Sequence, residues 1–295
     1  LKYTEENPPL QCLMTNSTCY NGTYVMGEVK GVLWHSTGSP NWDLKRFCQP
    51  TPGDNGYDYL INYLGKNYNG NDWNSSYVEA GVNAWIGKAA NGEVTTVQAL
   101  PWLYAPWGCG SGWRGSCNNG WIQFEICEPS TNLYDSNYFN AAYQEACELT
   151  AYLCVKFGID PYGSHYVNGA QIPNILCHVD SYNLGMGTGH ADVMHWFPIH
   201  GKSMDTVRND VYNLIQNRNK EEEEVTQEQF NQMMNTYLSE LATKPVDDWA
   251  KDAMNWAKNE GIYVGDGNSL MPRKFLTREE FAAVLQRVLE EGKGV

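Results

Sequence analysis

Histidine is scarce in this 295-residue sequence and unevenly placed: of six, four lie between positions 178 and 200. The stretch 177–198, CHVDSYNLGMGTGHADVMHWFP, sets His178, Asp180, His190, Asp192 and His195 among glycines and polar residues and reads as a loop. Neutral imidazole and carboxylate are the ligands a catalytic zinc takes, and such a site needs three protein ligands plus an open position for water. His35, which closes the apolar run EVKGVLWH, supplies one candidate from a strand end. His178 and one of the later His or Asp residues supply the others. The competing reading of any single histidine here is a surface side chain that hydrogen-bonds a loop to itself.

A proton-transfer group is also in view. In WIQFEICE (121–128), Ile122, Phe124 and Ile126 alternate with Trp121, Gln123, Glu125 and Cys127. That alternation predicts a strand whose apolar face enters the core while Glu125 enters a cleft. Glu128, at the end of the alternation, is expected to be a strand-end surface charge.

These residues need elements to position them. EVKGVLWH (28–35), followed by the turn-like STGSPN, predicts a buried strand, and TVQALPW (96–102) a second one stopped by Pro101. FNAAYQEACELTAYLCVKFG predicts a helix with Phe139, Ala142, Tyr143, Ala146, Leu149 and Leu153 on its apolar stripe and Thr150 at the edge. A further helix opens at Ser203, with Val207, Val211, Leu214 and Ile215 on one face. Alternating strands and helices give an α/β domain: a mixed central sheet flanked by helices. Its boundaries are read as 1–216, followed by a charged helical linker over 217–245 and a small helical module over 246–295.

In the linker, NRNKEEEE is a solvated charge run, and 226–242 continues as a helix with Phe230, Met233, Met234 and Leu238 on one side. In the module, Trp249, Ala253, Trp256 and Ala257 form a helical stripe ended by Gly261. GDGNSLMP is a turn, and Thr277 with Glu280 forms a capping box for a helix bearing Phe281, Val284, Leu285 and Val288. So small a unit should need packing against neighbours.

Composition removes several function classes. A formal net charge of −14 leaves no basic stripe for a nucleic-acid partner. No segment approaches the roughly 18 uninterrupted apolar residues of a membrane helix, and LKYTEENPPL carries no charged-then-apolar signal pattern. The nine cysteines include no CxxC pair. Cys12–Cys19 and Cys109–Cys117 are the candidate disulfides, with buried free thiols the alternative. The 11 Trp and 19 Tyr include several beside loop glycines, where they line a groove or pack a core.

Four ordered segments, GVLWHSTG (31–38), TTVQALPW (95–102), GSCNNGWIQFEICE (115–128) and HVD…HADVMHWFP (178–198), together resemble the amidase-2 family. This family groups peptidoglycan amidases with peptidoglycan recognition proteins, and the likeness is to its endolysin-like N-acetylmuramoyl-L-alanine amidases. The resemblance implies Zn2+ held by His35, His178 and Asp192, the last having Phe197 and Pro198 at +5 and +6. It implies Glu125 as the acid/base, and at His190 a group that stabilises the oxyanion, where the family often has a Lys. A protonated imidazole could donate the same hydrogen bond, with a pH dependence a Lys would lack. His190 as third ligand, oriented by Asp192, stays open, and His195 is a further alternative. Thr37 and Asn119 are candidate contacts to substrate or to the ligands.

The implied reaction is hydrolysis of the amide between N-acetylmuramic acid and L-alanine in bacterial peptidoglycan, by an endolysin or autolysin acting outside the cell or in its wall. DWAKDAMNWAKNEGIYVGDG with LTREEFAAVL resembles one S-layer-homology repeat, which implies a secondary cell-wall polymer as partner or self-association into a homo-oligomer. Two other readings compete: a non-catalytic peptidoglycan-binding protein, and a zinc peptidase cutting within the stem peptide. The HExxH motif of common zinc proteases is absent.

Overall fold

The alternation in WIQFEICE becomes the middle of a six-stranded sheet. The computed structural model describes residues 1–221, 227–265 and 270–291, and the chain divides into two units, Leu1–Glu221 and Glu222–Val295. In chain order the first forms β1 (Leu10–Gln11), α1 (Thr18–Gly22), β2 (Gly31–Ser36), α2 (Tyr57–Leu64), β3 (Ala84–Lys88), β4 (Val94–Gln98) and β5 (Trp121–Ile126). Then follow α3 (Ser136–Phe157), the hairpin β6 (Ser164–Val167) and β7 (Ala170–Pro173), β8 (Ile175–Cys177), α4 (His178–Asn183) and α5 (Met204–Glu221). The sheet order is β1-β4-β3-β5-β2-β8, parallel throughout except for β3 against β4, so the sheet is mixed as expected.

Side chains alternate across the strands, and the two faces serve different ends. Val32 and Trp34, Ala84 and Ile86, and Ile122, Phe124 and Ile126 pack on one face against α3 and α5, meeting Phe139, Ala142, Tyr143, Val207 and Val211. The opposite face carries Leu33, Trp121 and Leu176 under Cys109, Cys117 and Met186. Further along that face, Trp85 and Val97 lie under Phe47, Leu60 and Leu64. The predicted stripe of α3 is buried, and Thr150 is reconciled with burial by donating its hydroxyl to Ala146 O at 2.8 Å. Asp135 caps α3 by accepting from Tyr138 N at 3.1 Å, and Gly158, in the left-handed region at φ 66°, ends it.

Several expectations change. The second strand begins at Val94 and leaves the sheet after Gln98, because Ala99 and Leu100 both donate to Asn83 O at 2.7 and 3.2 Å, before Pro101 is reached. The stretch 177–198 is not a loop throughout: His178 opens α4, and tight 3-10 turns follow at Asp192–His195 and Phe197–His200. Neither candidate disulfide is present, since all nine cysteines are buried and free. Cys109 and Cys117 lie in one buried cluster as free thiols, and Cys48 Sγ, rather than Cys19, contacts Cys12, donating to its carbonyl at 3.6 Å. Ser203 caps α5 by accepting from Thr206 N at 3.3 Å, as expected. That helix continues through position 217 to Glu221; the rest of the NRNKEEEE run lies outside the described residues.

The second unit holds α6 (Gln227–Thr243), a 3-10 turn at Asp248–Ala250, α7 (Lys251–Asn259) and α8 (Arg278–Glu291). The capping box forms: Glu280 N donates to Thr277 Oγ1 at 3.1 Å and Thr277 N to Glu280 Oε2 at 2.8 Å. Gly261, at φ 70°, stands just past the end of α7. The predicted tryptophan stripe remains open to solvent, Trp249 being 86% and Trp256 59% exposed. Residues 266–269 of the GDGNSLMP turn lie outside the described residues.

Candidate metal centre

Parallel pairing of β2 with β5 sets His35 directly beside Glu125, with Leu33 beside Gln123 one pleat earlier. All four project from the sheet face opposite the helices, which puts a buried imidazole and a buried carboxyl side by side. On the far side of β2, β8 runs into α4, whose first residue is His178. Asp192 arrives from the following 3-10 turn. Nδ1 of His178 lies 2.6 Å and Nδ1 of His35 3.1 Å from the same oxygen, Oδ2 of Asp192. The three ligand atoms lie within 4.8 Å of one another, the one such His/Cys/Asp/Glu group among the described residues.

The surrounding hydrogen bonds fix which nitrogen of each ring faces inward. Cys109 N and Gln123 Nε2 both donate to Asn118 Oδ1, at 3.1 and 3.0 Å. Gln123 therefore turns its Oε1 to His35 Nε2 at 2.8 Å, as an acceptor for the ring N–H, and so leaves Nδ1 facing Asp192. The Thr188 hydroxyl donates to Cys109 O at 3.1 Å, so its oxygen accepts from His178 Nε2 at 3.2 Å. Both imidazoles thus turn Nδ1 to one point, where each contacts Asp192 and would offer its lone pair to a bound metal, the arrangement by which proteins orient metal-binding histidines. Gly108 passes so close that a Cβ there would stand 2.3 Å from Gln123 Oε1.

Electrostatics sharpen the picture. Burial would raise the Asp192 carboxyl, but hydrogen bonds and charge interactions with His178 and His35 outweigh it and hold the group well below the carboxylate range. Asp192 is also one of three non-glycine residues at positive φ among the described residues, at 44°. That conformation costs on the order of 1 kcal/mol and persists where the surroundings impose it. Glu125 goes the other way: burial, then the negative charges of Asp192 and Glu128, push it well above the usual range, and His178 offsets only part of this. Its Oε2 is buried without a hydrogen-bond partner. Two converging imidazole nitrogens, an ionised carboxylate and a neighbouring carboxyl oxygen without a partner are a donor set that fits zinc and a water.

The other candidates separate. His190 is exposed and stacks on His178, ring centroids 4.8 Å apart and nearly parallel, outside the three-ligand group. Asp180 closes a capping box at the start of α4, accepting from Cys177 N at 3.3 Å. Thr37 Oγ1 accepts from Glu128 N at 3.2 Å. Asn119 is exposed, and its neighbour Asn118 makes the contacts to Gln123 and Cys109. Glu128 is not a surface charge: it is 4% exposed and accepts from Ser36 Oγ at 2.8 Å and Gly38 N at 2.9 Å, with His195 Nε2 at 3.1 Å. Sequence reasoning gave no role to Gln123, Thr188 or Asn118, whose part is to hold ligand rings and which carry no pattern of their own.

The family model described as N-acetylmuramoyl-L-alanine amidase matches residues 26–198, more than half of the chain and inclusive of every residue of this centre. The chain belongs to that family. It is an amidase, and its second unit contains a match to the S-layer homology domain over residues 243–282. Among solved structures it is similar to the Staphylococcus aureus hydrolase AmiA, at 20% identity, covering 71% of this chain and 78% of that one with a TM-score of 0.40. It is also similar to PlyL, at 17% identity, 69% and 96% coverage and a TM-score of 0.41. A mutant endolysin from Bacillus subtilis gives 17%, 68% and 97%, with a TM-score of 0.42. A comparison with curated protein sequences returned no match. No helix among the described residues is long and apolar enough to cross a membrane.

Proposed function

We propose that this amidase is a zinc enzyme that hydrolyses the bond between N-acetylmuramic acid and L-alanine in bacterial peptidoglycan, outside the cell or in its wall. The observation that carries the reading is the convergence of two imidazole Nδ1 atoms on one ionised carboxylate beside the buried carboxyl of Glu125. His35, His178 and Asp192 would hold the metal. Zinc bound there supplies Lewis acidity, which polarises the scissile carbonyl and acidifies a water.

The chain's own groups do the rest. Gln123 and Thr188 hold the two ligand rings by Nε2, with Nδ1 turned toward Asp192. Glu125, whose ionised form a cation held by the three ligands would favour, takes the proton of the attacking water and returns it to the leaving amine of L-alanine, which departs as the tetrahedral centre collapses. His190, exposed and stacked on the His178 ring, would donate a hydrogen bond to the developing oxyanion. The products are a lactyl carboxylate on the sugar and a free peptide N-terminus. In the second unit, a cavity lined by Tyr263, Lys274, Phe275 and Arg287 supports binding of a secondary cell-wall polymer, and the same unit is the candidate for self-association.

Metal content separates the ligand from its neighbour. Purified wild-type protein and His190→Ala are expected to hold one zinc per chain, and Asp192→Ala almost none. Zinc kept by Asp192→Ala and lost from His190→Ala would exchange the two roles.

A further inference from the structure

Glu128 has no part in the chemistry above, yet it sits where the ligand-bearing segments meet. Its Oε1 accepts from Ser36 Oγ and Gly38 N, at 2.8 and 2.9 Å, in the turn immediately after His35. The same oxygen lies 3.1 Å from His195 Nε2, at the last residue of the 3-10 turn that begins with Asp192. Its backbone N–H adds a bond to Thr37 Oγ1 at 3.2 Å. One buried carboxylate thereby ties together two segments that lie far apart in the chain and carry two of the three ligand candidates. It does so from the chain that continues β5 beyond Glu125.

The need for such a tie is visible in Asp192. This residue occupies the left-handed region at φ 44°, which a non-glycine residue holds only when its surroundings impose it. Val193 and Trp196 anchor the turn in the core. The polar anchor of its far end is His195, whose ring is partly exposed and would be free to swing without Glu128.

We propose that Glu128 is a positioning residue for the metal centre. It clasps the turn after His35 to the turn that starts at Asp192, and so sets the spacing of the two ligands. The proposal rests on the zinc reading above. Glu128→Ala releases both turns at once and is expected to weaken zinc binding about 10- to 100-fold. Glu128→Gln keeps one acceptor oxygen and should recover part of the loss. His195→Gln, at a partly exposed site that threatens folding least, should weaken binding by a smaller factor. The double variant of Glu128→Ala and His195→Gln should then lose no more than Glu128→Ala alone, because the two residues act through one contact.

The experiment is competition for zinc against a chromogenic chelator, with melting of the zinc-free proteins measured alongside. A purely structural carboxylate would lower the melting temperature and leave the zinc affinity of the folded protein unchanged. Folded Glu128→Ala and His195→Gln proteins that bind zinc within twofold of wild type would overturn the clasp while leaving the zinc reading intact. A wild-type protein that takes up no zinc would overturn both.

Discussion

Glu125→Gln is expected to lower kcat by about 10²- to 10⁴-fold, the range for losing a positioned acid/base, while zinc content stays at the wild-type level. The glutamine is nearly isosteric, and no ligand atom of the three-residue group belongs to position 125. The same substitution is expected to stabilise the zinc-free protein at neutral pH. Burial, reinforced by Asp192 and Glu128, raises this carboxyl well above its ordinary value in the folded state. An unfolded Glu ionises near pH ~4.3. Above that pH the folded chain therefore binds more protons than the unfolded one, and stability falls as pH rises toward the folded value. Glutamine cannot ionise and escapes that loss. The melting temperature of Glu125→Gln relative to wild type, measured in chelator, should show little advantage at pH 4 and a clear gain at pH 7. Equal differences at the two pH values would mean that Glu125 is not held protonated by its surroundings.

His178→Ala is expected to abolish zinc uptake and to reduce activity by about 10³-fold or more, since the Lewis acid contributes several kcal/mol to the barrier. It should also change the acid stability of the zinc-free protein. Asp192 is held below its usual range by His178 and His35 against the opposing effect of burial. A carboxylate depressed in this way stabilises the fold above its unfolded value near ~3.9, and the contribution is lost as pH falls toward the folded value. Removing His178 deletes one of its two imidazole partners. The melting temperature should then fall most at neutral pH, and the two proteins should converge as the solution is acidified. Convergence at neutral pH instead would show that the His178–Asp192 contact contributes nothing to stability.

Much of the fold was legible because its strongest elements carry one unambiguous period. The alternation at 121–128 gave both the strand and the side of it that bears Glu125, and the stripe from Phe139 to Leu153 gave the helix beneath. The strand β3 escaped because it is buried on both faces, so AWIGK shows no alternation. β1 and β8 are two and three residues long, too short for any period. The cluster of His and Asp at 178–195 announced a metal site, but not its geometry. Choosing among His190, Asp192 and His195 depends on a 3-10 turn and a left-handed residue that spacing cannot express.

Glu128 was misread for a related reason. By alternation it falls past the strand end, where charge is normally solvated, and only the return of the chain at His195 and the turn at Ser36–Gly38 buries it. The cysteine pairs could not be read from spacing either, since Cys12 meets Cys48 across the fold rather than Cys19 nearby.

The central claim is tested most directly by digesting purified peptidoglycan with the enzyme, with and without a chelator and with zinc restored, and identifying the newly exposed N-terminal residue. The account predicts new L-alanine amines that disappear on chelation and return with zinc. A different new N-terminus, released under the same zinc dependence, would make the enzyme a peptidase of the stem peptide. Release of L-alanine amines undiminished by chelation would contradict the metal-dependent mechanism built on His35, His178 and Asp192.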